Sequence, residues 1–230
     1  NLIYVGQVLV ISGGGGGSIP PVTSGSFELG GQTHGLSHVS EMKFAGMKWV
    51  KFQHKWSPGD DPNALAGRIN DAHANGFKVL ISVTGATLFP GAGSIDFASY
   101  VSFMGGLAAL GPDALEVWNE QNLDREWTSI QGLSASNYVS LLAAAHDAIK
   151  AVDPGIIVVS GALSPTGLNN GVQAWDDFTY MDQMIAAGLL TYADCVGAHH
   201  NGLNLSPDYE WNQVPNDPTA RFRGPFDNPH

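Results

Sequence analysis

From residue 26 onward the chain switches repeatedly between two hydrophobic patterns: short runs that alternate or are apolar throughout, and longer stretches whose apolar residues recur every three or four positions. The first pattern predicts strands at 26–32, 49–55, 78–85, 114–120, 156–163 and 194–201. The second predicts helices at 36–45, 61–75, 96–110, 135–152 and 176–187. Punctuation agrees with the periodicity, since Gly46, Asn75-Gly76 and Gly111 stand where helices should stop and Asp61-Pro62 stands where one should start. The run "KVLISVTG" at 78–85 is apolar almost throughout, which marks a parallel strand covered on both faces.

Strands and helices in strict alternation leave two architectures, a doubly wound sheet or a (β/α)8 barrel. The first strand-to-helix turn, "FELGGQTHGL", spaces its glycines wrongly for a dinucleotide phosphate cradle. Polar groups instead gather at the ends of several strands: His54, Thr84, Asn119, Glu120, Ser160, His199 and His200. Functional groups drawn from many strand tips are a barrel property. The fold class expected is therefore α/β, a TIM barrel of which about six βα units are present over 26–230. Two strands are wanting on this count, so the chain is expected to be a fragment.

Residues 1–11, "NLIYVGQVLVI", are too few for a core, and the Gly/Ser/Pro stretch at 12–25 has the composition of a flexible linker. The spacing of Asn1, Ile3, Gly6, Gln7, Leu9 and Ile11 resembles the closing stretch of a LysM module. That resemblance implies a module upstream that binds peptidoglycan or chitin-like glycan, with any signal peptide further upstream still. An adventitious edge strand before a linker is the plainer alternative.

Composition narrows the partners. The formal net charge is -11 and mean hydropathy is -0.02, with no Lys/Arg cluster, so nucleic acid and anionic membrane surfaces are not expected partners. No apolar run is long enough to insert into a bilayer. Cys195 is the single cysteine, which excludes an internal disulfide, and its apolar neighbours predict a buried small hydrophobe. Neither H-E-x-x-H nor C-x-x-C spacing occurs, and neither metal nor cofactor is expected.

The stretch "EVWNEQNL" at 116–123 carries the most specific signal. It resembles the strand-four signature of retaining glycoside hydrolases of clan A, above all the family-thirty-nine form "E-V-W-N-E-P-N-L", with Gln121 in place of Pro. The resemblance implies that Glu120 is the general acid/base and that Asn119 hydrogen-bonds a sugar hydroxyl. Chemistry gives the same reason for an acid there, because a glycosidic oxygen leaves poorly until protonated and the donor needs a raised pKa. Retaining hydrolysis also requires a second carboxylate about 5 Å away, which the clan places on strand seven. Glu28, Glu41, Glu116, Glu126 and Glu210 stand mid-strand, in a helix or in loops, and none occupies that context.

Other side chains are candidates for the groove. His54 is placed to donate to a sugar hydroxyl or to pack as a loop histidine. His199, His200 and Asn201 resemble the clan's strand-six tip, and Trp118 and Trp127 are sugar platforms or core residues. Glu116 shares the parity of Glu120; if buried it needs a partner, and Lys51 is the nearest in kind. The reading that results is a secreted or cell-surface hydrolase of a polysaccharide or oligosaccharide, held on its substrate by the LysM module. The alternatives are a noncatalytic glycan-binding or envelope protein on the same barrel and, more remotely, an α/β enzyme for a phosphorylated substrate.

Overall fold

The computed structural model describes residues 27–85, 95–127 and 132–199. Within them the elements run β1 (Gly30–Gln32), α1 (Val39–Phe44), β2 (Trp49–Trp56), a 3-10 turn (Pro62–Leu65) leading into α2 (Ala66–Ala74), and β3 (Lys78–Gly85). Then follow α3 (Phe97–Ala108), β4 (Ala114–Val117), α4 (Ala135–Val152), β5 (Ile157–Ser160), α5 (Asp177–Ala186) and α6 (Leu189–Tyr192). All four strand pairings are parallel and the spatial order is β1-β2-β3-β4-β5. A doubly wound sheet reverses its strand order part-way. This sheet does not reverse, and its order is that of a barrel segment.

Strand alternation sorts the two faces. Val50, Phe52, Val79, Ile81, Val83, Leu115, Val117 and Val158 are all buried in one core cluster with Ile69, Tyr100, Met104, Leu107, Tyr138, Leu142 and Ile149 from the helices. The opposite parity carries Lys51, Gln53, Ser82, Thr84 and Glu116 among Leu80, Ala114, Ile157 and Val159, so the polar strand residues gather on the face turned away from the helices. Three helices begin at residues whose side chains cap them: Asp96 accepts from Ser99 N at 3.0 Å, Ser134 from Asn137 N at 3.2 Å and Asp176 from Thr179 N at 3.0 Å. Asp61 instead caps Asn63 N at 2.9 Å and starts a 3-10 turn, so the helix expected from Pro62 begins one turn later.

Two expectations need correction. The sixth strand is not a strand: Cys195 and Ala198 make only isolated parallel bridges, to Val159 and Leu163. Between them Gly197 N donates to the Ser160 hydroxyl at 3.1 Å instead of to a carbonyl, and the ladder breaks there. Cys195 is exposed because it lies on this interrupted outer edge and not in the core.

The ion pair expected at Glu116 is present. The Lys51 ammonium lies 2.5 Å from Oε2, out of line for a directed hydrogen bond, and Oε1 accepts from Ala162 N at 3.3 Å. Glu116 is 2% exposed and Lys51 25%, so the carboxylate depends on this cation. Lys51→Met is expected to lose on the order of 3 kcal/mol in urea unfolding, and adding Glu116→Gln to recover much of it. Equal stability of the single and double variants would mean that the charge pair is not what holds Glu116.

Candidate active site

β4 ends at Val117, and the next three residues do not continue extended. Trp118 has φ of 73° and Glu120 has φ of 48°, both in the left-handed region that side chains other than Gly rarely adopt. Each such residue costs about 1–3 kcal/mol and persists only where its surroundings over-determine it. Here they do so by hydrogen bonds. The Tyr100 hydroxyl donates to Val83 O at 2.7 Å and accepts from Trp118 N at 3.1 Å, joining the tips of β3 and β4. The Tyr138 hydroxyl donates to Val117 O at 2.9 Å and accepts from Gly161 N at 2.7 Å, joining the tips of β4 and β5. Burial pushes both phenols far above the usual tyrosine range, so they remain neutral donors.

The residues after Glu120 fasten the turn from the other side. Glu120 N donates to Ala162 O at 2.8 Å. Gln121, where the resembling family has Pro, donates through Nε2 to Gly161 O at 2.8 Å, and a Cβ on Gly161 would collide with its Oε1. Asn122 is fully buried; its Nδ2 donates to Ser164 O at 2.8 Å and Trp175 O at 2.9 Å, and its Oδ1 accepts from Ser164 N at 2.9 Å.

Trp118 and Trp127 are core residues, 0% and 1% exposed. Their rings meet edge to face at 5.2 Å, with Tyr100 and Tyr138 against them. Trp118 Nε1 donates to Glu126 O at 3.0 Å, and its ring fills the space where a side chain at position 85 would be, so β3 ends in Gly. The sugar-platform role expected of Trp118 gives way to a packing role, because left-handed φ turns the ring under the strand tip. His54 is also displaced from the groove. It shares the parity of Phe52 and Trp56, stacks on Phe103 of α3 at 5.2 Å and pairs with Asp60 at 3.0 Å, facing the helices.

Glu120 remains at the tip with its side chain 12% exposed. The Nδ1 of His199 lies 3.0 Å from Oε1, and Arg125 Nη2 lies 3.4 Å from Oε2. Burial pushes this carboxyl up, but the hydrogen bond and charge of His199 together with Arg125 outweigh it and hold it below the usual glutamate range. The raised pKa expected of a proton donor is therefore not found at Glu120. Asn119 is half-buried beside Glu120, and His200 and Asn201 lie outside the described residues. The structure thus brings Glu120 and His199 into contact, leaves Asn119 adjacent, and removes His54 and Trp118.

Arg125 and Glu126 join the site without having been anticipated. Successive turns, Leu123 N to Glu120 O at 3.0 Å and Glu126 N to Leu123 O at 3.2 Å, coil the chain back so that Arg125 stands against both carboxylates. Burial, and then the charge of Glu120, push the Glu126 carboxyl above the usual range. The sequence signal was an Arg-Glu pair one short coil beyond the acid. Among the described residues no group of three or more His, Cys, Asp or Glu side chains is placed to hold a metal ion.

No family model matches the chain, and no curated protein does. Solved structures do resemble it. Hydroxymethylglutaryl-CoA lyase from Pseudomonas aeruginosa aligns with a TM-score of 0.51 at 11% identity, over 74% of this chain and 52% of that one. A glucosidase from Croceicoccus marinus aligns with a TM-score of 0.51 at 13% identity, over 70% of this chain and 39% of that one. The fold is TIM-barrel-like. At these identities the likeness concerns fold alone, and this chain spans about half or less of the length of either structure.

Tyr138→Phe removes both bonds that tie Val117 to Gly161 and is expected to cost about 1–3 kcal/mol in urea unfolding. A change within about 0.3 kcal/mol would mean that the strand tips are held by other contacts.

Proposed function

We propose that the protein is a glycoside hydrolase in which Glu120 is the general acid/base. The observation that carries this reading is the placement of Glu120: a carboxyl at the C-terminal tip of a parallel strand in a TIM-barrel-like fold, held in a left-handed turn with His199 hydrogen-bonded to it. Active sites of this architecture lie at that end of the strands. In the proposed reaction Glu120 protonates the glycosidic oxygen as the bond to the sugar breaks, and Asn119 beside it engages a hydroxyl of the ring. A double displacement would draw its second carboxylate from a seventh strand of a closed barrel, outside the described residues. The substrate class proposed is a polysaccharide or oligosaccharide, met outside the cell or at its surface, with the LysM-like tail at 1–11 belonging to an anchoring module. The glucosidase likeness supports the fold of this reading and only weakly its chemistry.

Noncatalytic glycan binding is the second reading, and one observation favours it. Glu120 is held below the usual range, the reverse of what a resting proton donor needs. The two are separated by turnover. Against a panel of nitrophenyl glycosides and soluble polysaccharides, the hydrolase reading expects the chain to cleave at least one and Glu120→Gln to reduce kcat by about 10²–10⁴-fold. Saturable glycan binding with no cleavage by either protein would establish the binding role instead.

A further inference from the structure

Two ladder bonds between β5 and residues 195–199 give way to side chains. At Cys195 the pairing is still regular: Cys195 N donates to Val158 O at 3.2 Å and Ser160 N to Cys195 O at 3.0 Å. A parallel ladder would continue with Gly197 N to Ser160 O and Ala162 N to Gly197 O. Instead Gly197 N donates to the Ser160 hydroxyl at 3.1 Å, and Ala162 N donates to Glu116 Oε1 at 3.3 Å. The bridges record the slip. Cys195 opposes Val159 but Ala198 opposes Leu163, so three steps on the outer segment match four on β5. That is a bulge of one residue, a feature that re-aims side chains beside active sites. Gly197 is buried against it, and a Cβ there would run into Ser160 O and lie 2.9 Å from Ala162 N. The segment therefore crosses the tip of β5 closer than a residue with a side chain could.

Two residues beyond Gly197, His199 places Nδ1 3.0 Å from Glu120 Oε1. Glu120 reaches the same bulge from the other side, its N donating to Ala162 O at 2.8 Å. The acid and its histidine are thus both registered against one bulged stretch of β5 and the residues that follow it. We propose that Ser160 is a positioning residue of the site: by taking Gly197 N out of the ladder, its hydroxyl holds the bulge that carries His199 onto Glu120. Ser160 is fully buried and shares the parity of the core residue Val158, so it acts through His199 and not on a substrate. Without the hydroxyl, the acceptor left to Gly197 N is Ser160 O, the ladder position. Pairing in register would then remove the bulge, set His199 against a different residue of β5 and draw it off Glu120. The catalytic meaning of this placement rests on the hydrolase reading; the placement itself does not.

Nitrogen NMR of the imidazoles in the full chain reads the contact, with His199 picked out of the eight histidines by His199→Gln. In the unsubstituted chain the Gly197 amide is expected to exchange slowly with water. Ser160→Ala should move the His199 Nδ1 resonance to where Glu120→Ala puts it, and Ser160→Thr, which keeps the oxygen, should hold it in place. With a glycoside that the chain cleaves, Ser160→Ala should lower kcat by about ten- to a hundred-fold and change KM little. Lower activity or stability with the His199 resonance unmoved would mean that Ser160 only packs, and overturns the proposal. A resonance displaced equally by Ala and Thr overturns it too, because the hydroxyl is then not what matters. So does a Gly197 amide that exchanges freely in the unsubstituted chain, a result that needs no variant to fold. A displaced His199 in Ser160→Ala, in a chain that cleaves no glycoside, would uphold the positioning and sink the hydrolase reading alone.

Discussion

Everything at the candidate site depends on the turn that follows Val117. A parallel strand that simply continued would carry Glu120 onward with alternating parity and no fixed direction. Left-handed φ at Trp118 and Glu120 breaks that course, tucking the indole under the strand tip and leaving the carboxyl half-sheltered above it. The strain is borne by hydroxyls from the helices behind, Tyr100 from α3 and Tyr138 from α4, and by the amides of Gln121 and Asn122, which grip Gly161 and Ser164 in the loop after β5. Core and site are therefore one construction. The aromatic cluster that closes the sheet's upper end also sets the position of the acid.

Much of the fold was legible because its signals are local and periodic. The run at 78–85 and the helix at 135–152 have the same limits in sequence and structure, since an unbroken apolar strand and a long capped helix each declare themselves. The edges were less legible. Of the expected first strand, the described residues 27–32 pair only over Gly30–Gln32, and 194–199 pair through two bridges, because an edge segment is decided by what lies beside it. The pairing of Glu116 with Lys51 followed from parity alone, as the two sit on strands that β3 separates and face the same side.

The site was legible in part. "WNE" pointed to Glu120, and the placement of His199 against it agrees with a groove lined from several strands. His54 was misplaced for a reason that the sequence contained, since its parity with Phe52 and Trp56 directs it to the helices. Trp118 was not decidable from sequence, because ordinary strand geometry gives no warning of positive φ. Arg125 and Glu126 were invisible as partners: only the coil through Leu123 returns them to Glu120. The surroundings of Glu120 were misjudged for the same reason, its partners Arg125 and His199 lying at distances in sequence that no motif encodes.

The central claim is that this turn aims Glu120 at a scissile glycosidic bond as the acid/base, and chemical rescue tests it most directly. With a nitrophenyl glycoside that the chain cleaves, Glu120→Ala removes the base that activates water but leaves room for a small anion beside the reacting carbon. Adding azide is predicted to restore turnover to the variant and to yield a glycosyl azide, while leaving the unsubstituted protein unaffected. A variant that azide does not revive, or one that hydrolyses as fast as the parent without it, would contradict an acid/base role for Glu120.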